Sequence, residues 1–66
     1  MKATVNGAER ELQDGATIAQ LLDELGVPRD GVAVAVNERV VPRSQHAAVG
    51  LADGDRVEVV HAVAGG

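Results

Sequence analysis

The sequence lacks several residue types on which small proteins often depend. It has no Phe, Tyr, Trp or Cys and only one Met among its 66 residues. Without cysteine there is no disulfide to stabilise a small core, no thiol nucleophile and no thiolate metal ligand. The core must be built from Val, Leu, Ile and Ala. We therefore expect one domain, residues 1–66, that is too small to enclose a substrate-sized active-site cleft.

Basic residues are also scarce. Six Lys and Arg stand against ten Asp and Glu, which gives a formal net charge of −4. This balance argues against binding to a phosphate backbone. The first residues show no apolar targeting segment, and the valine-rich run at 32–36 is too short to cross a bilayer. The sequence thus predicts a cytoplasmic protein that binds neither nucleic acid nor membrane.

A helix in the first half of the chain is the clearest element. Thr17, with Gln20 three residues later, has the pattern of a capping box. Gly26 stands where a left-handed residue would end the helix, and Pro28 follows. The spacing i, i+3, i+4 and i+7 places four aliphatic residues on one face, which we expect to supply the core: Ile18, Leu21, Leu22 and Leu25.

Strands are predicted on both sides of this helix. Asn6-Gly7 is a strong signal for a two-residue hairpin turn between two strands that precede the helix. Alternating valines and alanines indicate a buried strand at 31–36. A short strand at 39–41 follows, and Pro42 would confine it to a sheet edge.

The last strand begins at Arg56, after a loop over 42–51 and a tight turn at 53–55. The resulting order is β-β-α-β-β, with the last strand arriving after a long connection. This order predicts an α+β fold in which one helix lies across one face of a small mixed sheet. Val57 and Val59 would then face the core.

Val60 and Ala62 would point away from the helix, where they could form an apolar docking patch for a partner. The alternative is that the loop over 42–51 covers them. Two histidines, His46 and His61, are too few for a metal site, and we expect structural or surface roles for them. We expect no catalytic residue, bound metal or bound cofactor.

The chain ends in residues with little or no side chain. Glycine has no Cβ and loses much conformational entropy on ordering, so a flexible tail over 63–66 is expected. Such a tail is narrow enough to enter a tunnel in another protein. If the chain has chemistry, the α-carboxylate of Gly66 is the best candidate. A glycine-rich terminus is also common without any function, so this pattern alone leaves both interpretations open.

Several short motifs follow one another in a specific order and spacing: Asn6, Ile18-Ala19-Gln20-Leu21-Leu22, Val34-Ala35-Val36-Asn37, Val41-Pro42-Arg43, Asp53-Gly54-Asp55 and Val63-Ala64-Gly65-Gly66. Through them the sequence resembles, over essentially its whole length, the sulfur carrier proteins of thiamine thiazole biosynthesis, which are ubiquitin-like proteins with the β-grasp fold. One departure is His46, because members of that family often have Trp after the Val-Pro-Arg stretch.

The resemblance implies that the protein is a cosubstrate and not an enzyme. A ubiquitin-activating-like adenylyltransferase would use ATP to adenylate Gly66. Sulfur from a cysteine desulfurase system would then convert Gly66 to a thiocarboxylate, and thiazole synthase would receive the sulfur. Two sets of residues would contact these partners: Val63, Ala64 and Gly65 in the tail, and Val60, Ala62, Arg56 and Glu58 on a docking surface.

Two other interpretations remain open. The related sulfur carrier of molybdopterin synthase shares this fold and tail chemistry. It ranks lower because such proteins tend to be longer and often have a proline pair where this chain has His61-Ala62. The second alternative is a β-grasp interaction module with an inert terminus, or a modifier that is conjugated to protein lysines.

Overall fold

A computed structural model of the chain describes residues 1–28 and 30–61. The predicted flexible tail, residues 63–66, and the predicted docking residue Ala62 lie outside these described residues. Along the chain, the elements are β1 (Lys2–Val5), β2 (Ala8–Glu11), α1 (Ile18–Leu25), β3 (Val32–Val36), β4 (Arg39–Val41), a 3₁₀ turn (Arg43–Gln45) and β5 (Arg56–His61).

The five strands form one mixed sheet in the order β2-β1-β5-β3-β4. All five predicted strands are present. The short strand expected at 39–41, which the order β-β-α-β-β does not count separately, is β4 and pairs with one edge of β3, while β5 pairs with the other. The first and last strands lie side by side and run parallel, whereas the other pairs are antiparallel. The last strand is therefore the middle strand of the sheet, with a neighbour on each edge.

Local signals define the helix as predicted. Thr17 Oγ1 accepts a hydrogen bond from the Gln20 N–H (3.2 Å), and Gln20 Oε1 accepts one from the Thr17 N–H (2.8 Å). This reciprocal pair satisfies two backbone donors that a helix start leaves without partners. At the other end, Gly26 adopts the left-handed conformation (φ 73°) that glycine permits without a steric penalty.

Carbonyl groups of the loop over 42–51 accept hydrogen bonds from backbone N–H groups at the start of the helix. The Ile18 N–H donates to the Val49 carbonyl (3.2 Å) and the Ala19 N–H donates to the His46 carbonyl (2.9 Å). The His46 side chain is buried, and its Nε2 lies 3.0 Å from the Val41 carbonyl oxygen. His46 is therefore a structural residue that ties this loop to the end of β4.

The helix covers one face of the sheet, and the core lies between the two. Val57 and Val59 face this core, as predicted, with exposed fractions of 0% and 7%. Among the described residues, only five buried core side chains are larger than valine, because the chain has no aromatic residue: Leu12, Ile18, Leu21, Leu22 and Leu51.

Both hairpins turn through two residues with positive φ. The predicted Asn6-Gly7 turn has φ values of 50° and 83°, and the second turn, at Asn37 and Glu38, has 51° and 71°. Two left-handed residues give the backbone twist that suits a two-residue hairpin. The side chains of Asn6 and Asn37 both bond to the backbone of β5, which connects each turn to the central strand.

Candidate docking face and origin of the tail

The face of β5 that points away from the helix carries three of the predicted docking residues. Arg56, Glu58 and Val60 alternate along the strand with the buried valines, because successive strand side chains point to opposite faces. All three are exposed, and Val60 retains 59% of its accessible surface. The structure therefore brings these three residues together in one line that leads toward the end of the strand.

Neighbouring strands extend this line into an apolar surface. In the strand register, Val60 lies beside Ala33, while Ala35 lies between Glu58 and Val40. Residues directly opposite each other in antiparallel strands project from the same face. We call the surface formed by Ala33, Ala35, Val40 and Val60 the outer patch. Its two valines are the exposed large hydrophobic residues among the described part of the chain.

The alternative prediction, that the loop over 42–51 covers Val60, is wrong. Hydrogen bonds hold that loop against the start of α1, on the opposite side of the sheet, and Val60 stays exposed. The sequence analysis also missed Val40 as a part of this surface. Alternation could have revealed it, because Val41 packs against the core and its neighbour must point the other way.

Charged groups border the outer patch on β5. Glu58 lies beside Ala35, and Arg56 Nη2 lies 3.8 Å from Glu38 Oε2. Both members of this ion pair are well exposed, so solvent screens it and its contribution to stability is small. The two β5 side chains thus remain accessible for contacts with a partner.

An asparagine beside the end of β5 was not identified as a site residue from the sequence. Asn6 Oδ1 accepts a hydrogen bond from the Val59 N–H (2.8 Å), and Asn6 Nδ2 donates one to the Val59 carbonyl (3.2 Å). The two residues are 53 positions apart in the chain. A turn motif alone gives no sign of such a contact, since it depends on how the first and last strands pair.

Other kinds of site were also examined in the described residues. Across 1–28 and 30–61, no group of three or more His, Cys, Asp and Glu side chains is arranged to hold a metal ion. The only helix found there, α1, is too short to cross a membrane. His61 is exposed at the last position of β5. Gly66, Gly65, Ala64 and Val63, the predicted reactive and recognised residues, lie outside the described residues.

One helix across a five-stranded mixed sheet whose last strand is central is the β-grasp fold of the ubiquitin-like proteins. The family model described as "ThiS family" matches residues 3–66. The chain therefore belongs to the ThiS family, which confirms the resemblance noted from its motifs.

Individual relatives agree with this membership. The sulfur carrier protein ThiS of Escherichia coli strain K12 is 33% identical over 66 residues, which cover 100% of both chains. The crystal structure of the thiamine biosynthesis protein (ThiS) from Geobacter metallireducens superposes with a TM-score of 0.85 at 32% identity, again over 100% of both chains.

A different kind of relative is longer. A thiazole synthase of Paramagnetospirillum magneticum is 44% identical over 66 residues, and the match covers 100% of this chain but 20% of that protein. This chain thus spans about a fifth of the length of its thiazole synthase relatives.

Proposed function

We propose that the chain is a sulfur carrier of thiamine biosynthesis and that it carries sulfur as a thiocarboxylate on Gly66. The observation that carries this proposal is family membership over residues 3–66, a range that includes the terminal Gly65-Gly66. The protein acts as a cosubstrate of other enzymes and supplies no catalytic group of its own. A partner enzyme supplies the ATP chemistry.

The chemistry follows from the properties of a carboxylate. An α-carboxylate is ionised at neutral pH and is a poor electrophile. An adenylyltransferase of the ubiquitin-activating type transfers AMP from ATP to Gly66 and releases pyrophosphate. A persulfide sulfur from a cysteine desulfurase system attacks the acyl carbon and expels AMP. A thiol then reduces the resulting acyl disulfide to the thiocarboxylate, which delivers its sulfur to thiazole synthase.

Partners dock on the outer patch in this scheme. Exposed valines on a sheet face give an apolar centre, and Arg56 and Glu58 supply charged groups at its border. An apolar centre with a polar rim is the usual anatomy of a protein interface. The thiazole synthase relative, which contains a stretch similar to this whole chain, supports thiazole synthase as one of the partners.

Val60→Asp should weaken binding to the adenylyltransferase and to thiazole synthase. The substitution places a charge that must lose its water at the centre of the interface. We expect the Kd, measured by calorimetry, to rise at least about tenfold, which corresponds to about 1.4 kcal/mol. Ala8→Asp is the matched control, because it adds the same charge at an exposed position of β2, at the far edge of the sheet. Equal losses in both variants would contradict the docking proposal.

Intact mass tests the carrier chemistry itself. The purified protein is incubated with ATP, the activating enzyme and a sulfur source, and a version that lacks Gly66 is treated in parallel. We expect a mass change equal to the replacement of one oxygen by one sulfur, absent from the shortened version. If an enzyme that is active on another carrier forms neither adenylate nor thiocarboxylate here, the proposal is wrong. A pull-down of molybdopterin synthase in place of thiazole synthase would reassign the pathway.

A further inference from the structure

The central strand loses one of its two neighbours before it ends. Pairing between β1 and β5 stops at Val5 and Val57, where the chain turns away into the first hairpin. On its other side, β5 stays paired with β3 as far as His61. The last part of β5 therefore has a backbone partner on one edge only, at the position from which the chain continues toward Gly66.

Beyond Val57, the side chain of Asn6 makes the hydrogen bonds to β5 that the backbone of a neighbouring strand would otherwise make. Asn6 directly follows β1, and its backbone N–H donates a hydrogen bond to the Val57 carbonyl (2.9 Å). Its carboxamide then bonds to both the N–H and the carbonyl of Val59, with one acceptor and one donor. Only Asn and Gln side chains offer this amide pair, and an Asp side chain lacks the donor. An aspartate at position 6 could therefore not make both bonds to Val59, although Asp-Gly is also a favoured sequence for this turn.

We propose that Asn6 is a positioning residue for the carrier reaction, because it fixes the end of β5 and hence the point from which the tail is presented to the activating enzyme. This inference rests on the proposed function. In the sequence, β5 is followed by a tail that ends in Ala64-Gly65-Gly66. The position of β5 therefore sets where this tail begins. If the end of β5 frays, the reacting carboxylate samples more positions and fewer of them are productive.

The protein contains a matched control for this role. Asn37 also follows a strand, has nearly the same φ (51°), and its Oδ1 accepts a hydrogen bond from the Arg56 N–H (3.0 Å). Its backbone N–H donates to the Arg56 carbonyl (2.7 Å). Asn37 thus contacts the beginning of β5 and Asn6 contacts its end. Each carboxamide makes two hydrogen bonds: Asn6 makes both to β5, whereas Asn37 makes one to β5 and one to Asp55 Oδ1 (3.0 Å). Removal of either side chain therefore costs two hydrogen bonds, but only Asn6 holds the part of β5 from which the chain continues toward Gly66.

Asn6→Gly and Asn37→Gly test the proposal, because glycine accepts the positive φ of both turns and removes only the carboxamide contacts. Both variants are assayed at a temperature at which circular dichroism shows them folded. For Asn6→Gly we expect the kcat of thiocarboxylate formation to fall roughly tenfold or more and KM to change by a smaller factor, since all four residues of the outer patch are retained. Asn37→Gly should keep the wild-type kcat. Asn6→Asp, which can still accept from the Val59 N–H but cannot donate to the Val59 carbonyl, should also lower kcat.

A second measurement does not depend on any partner. The ¹⁵N relaxation of Val60 and His61 should show greater motion in Asn6→Gly than in the wild type, and no change in Asn37→Gly. The inference is overturned if the two glycine variants lose kcat equally, or if the motion of Val60 and His61 is the same in all three proteins. A wild-type protein that forms no thiocarboxylate would instead refute the proposed function, and this separates the two failures.

Discussion

Addition of one alanine after Gly66 should abolish thiocarboxylate formation while leaving the fold intact. An extra residue moves the terminal carboxylate by up to about 3.5 Å. A displacement of even about 1 Å can cost a reaction a hundredfold in rate, because the reacting atoms no longer meet in the attacking geometry. The new terminus also carries a Cβ beside the acyl carbon, where a narrow tunnel would admit only glycine. Intact mass after incubation with ATP, activating enzyme and sulfur source measures the outcome.

The control for this experiment is Ala48→Ser, a small change at an exposed position of the loop over 42–51 that leaves the terminal carboxylate on Gly66. It should form the thiocarboxylate at the wild-type rate. Unfolding curves of the extended protein should match those of the wild type, since the change lies beyond the paired strands. Full sulfur loading of the extended protein would show that Gly66 is not the acceptor. A covalent adduct with another protein's lysine would instead identify a modifier.

The second prediction with a large expected effect is a loss of stability when a buried leucine of the core is shortened. Leu22→Ala should lower the free energy of unfolding by about 2–5 kcal/mol, the usual cost of removing a fully buried leucine side chain. Leu22 is completely buried in the cluster between helix and sheet. A domain of 66 residues has a total stability of only about 3–10 kcal/mol at typical values per residue. The loss is therefore a large fraction of the whole stability, and urea denaturation followed by circular dichroism measures it.

Leu25→Ala is the matched control for this prediction. Leu25 lies on the same face of α1 and is its last residue, but it is only partly buried and packs at the margin of the core. The same chemical change should therefore cost clearly less than in Leu22→Ala, because less apolar surface is lost and the site can refill with solvent. Equal costs at the two positions would contradict the burial on which the prediction rests.

The sequence alone determined the elements whose cause is local. The capping pair of Thr17 and Gln20, the left-handed Gly26 and the turn at Asn6-Gly7 all depend on residues within a few positions of one another. Alternation along the last strand likewise placed Val57 and Val59 inside the protein. Short-range hydrogen bonds and the periods of helix and strand suffice for such predictions. The role of Gly66 in sulfur transfer also came from sequence motifs, and it stays a prediction.

Only the tertiary structure decided which strands became neighbours. Local pattern cannot show that the last strand lies between β1 and β3, because its pairing with β1 joins residues 52 positions apart in the chain, such as Thr4 and Arg56. The outer patch depends on this arrangement, since Val40 and Val60 share a surface only when β3 lies between their strands. The contact of Asn6 with Val59 depends on it as well. Strands that are distant in the chain pair in the way that buries the whole apolar face of the sheet. No single segment determines this arrangement, because it depends on the assembled core.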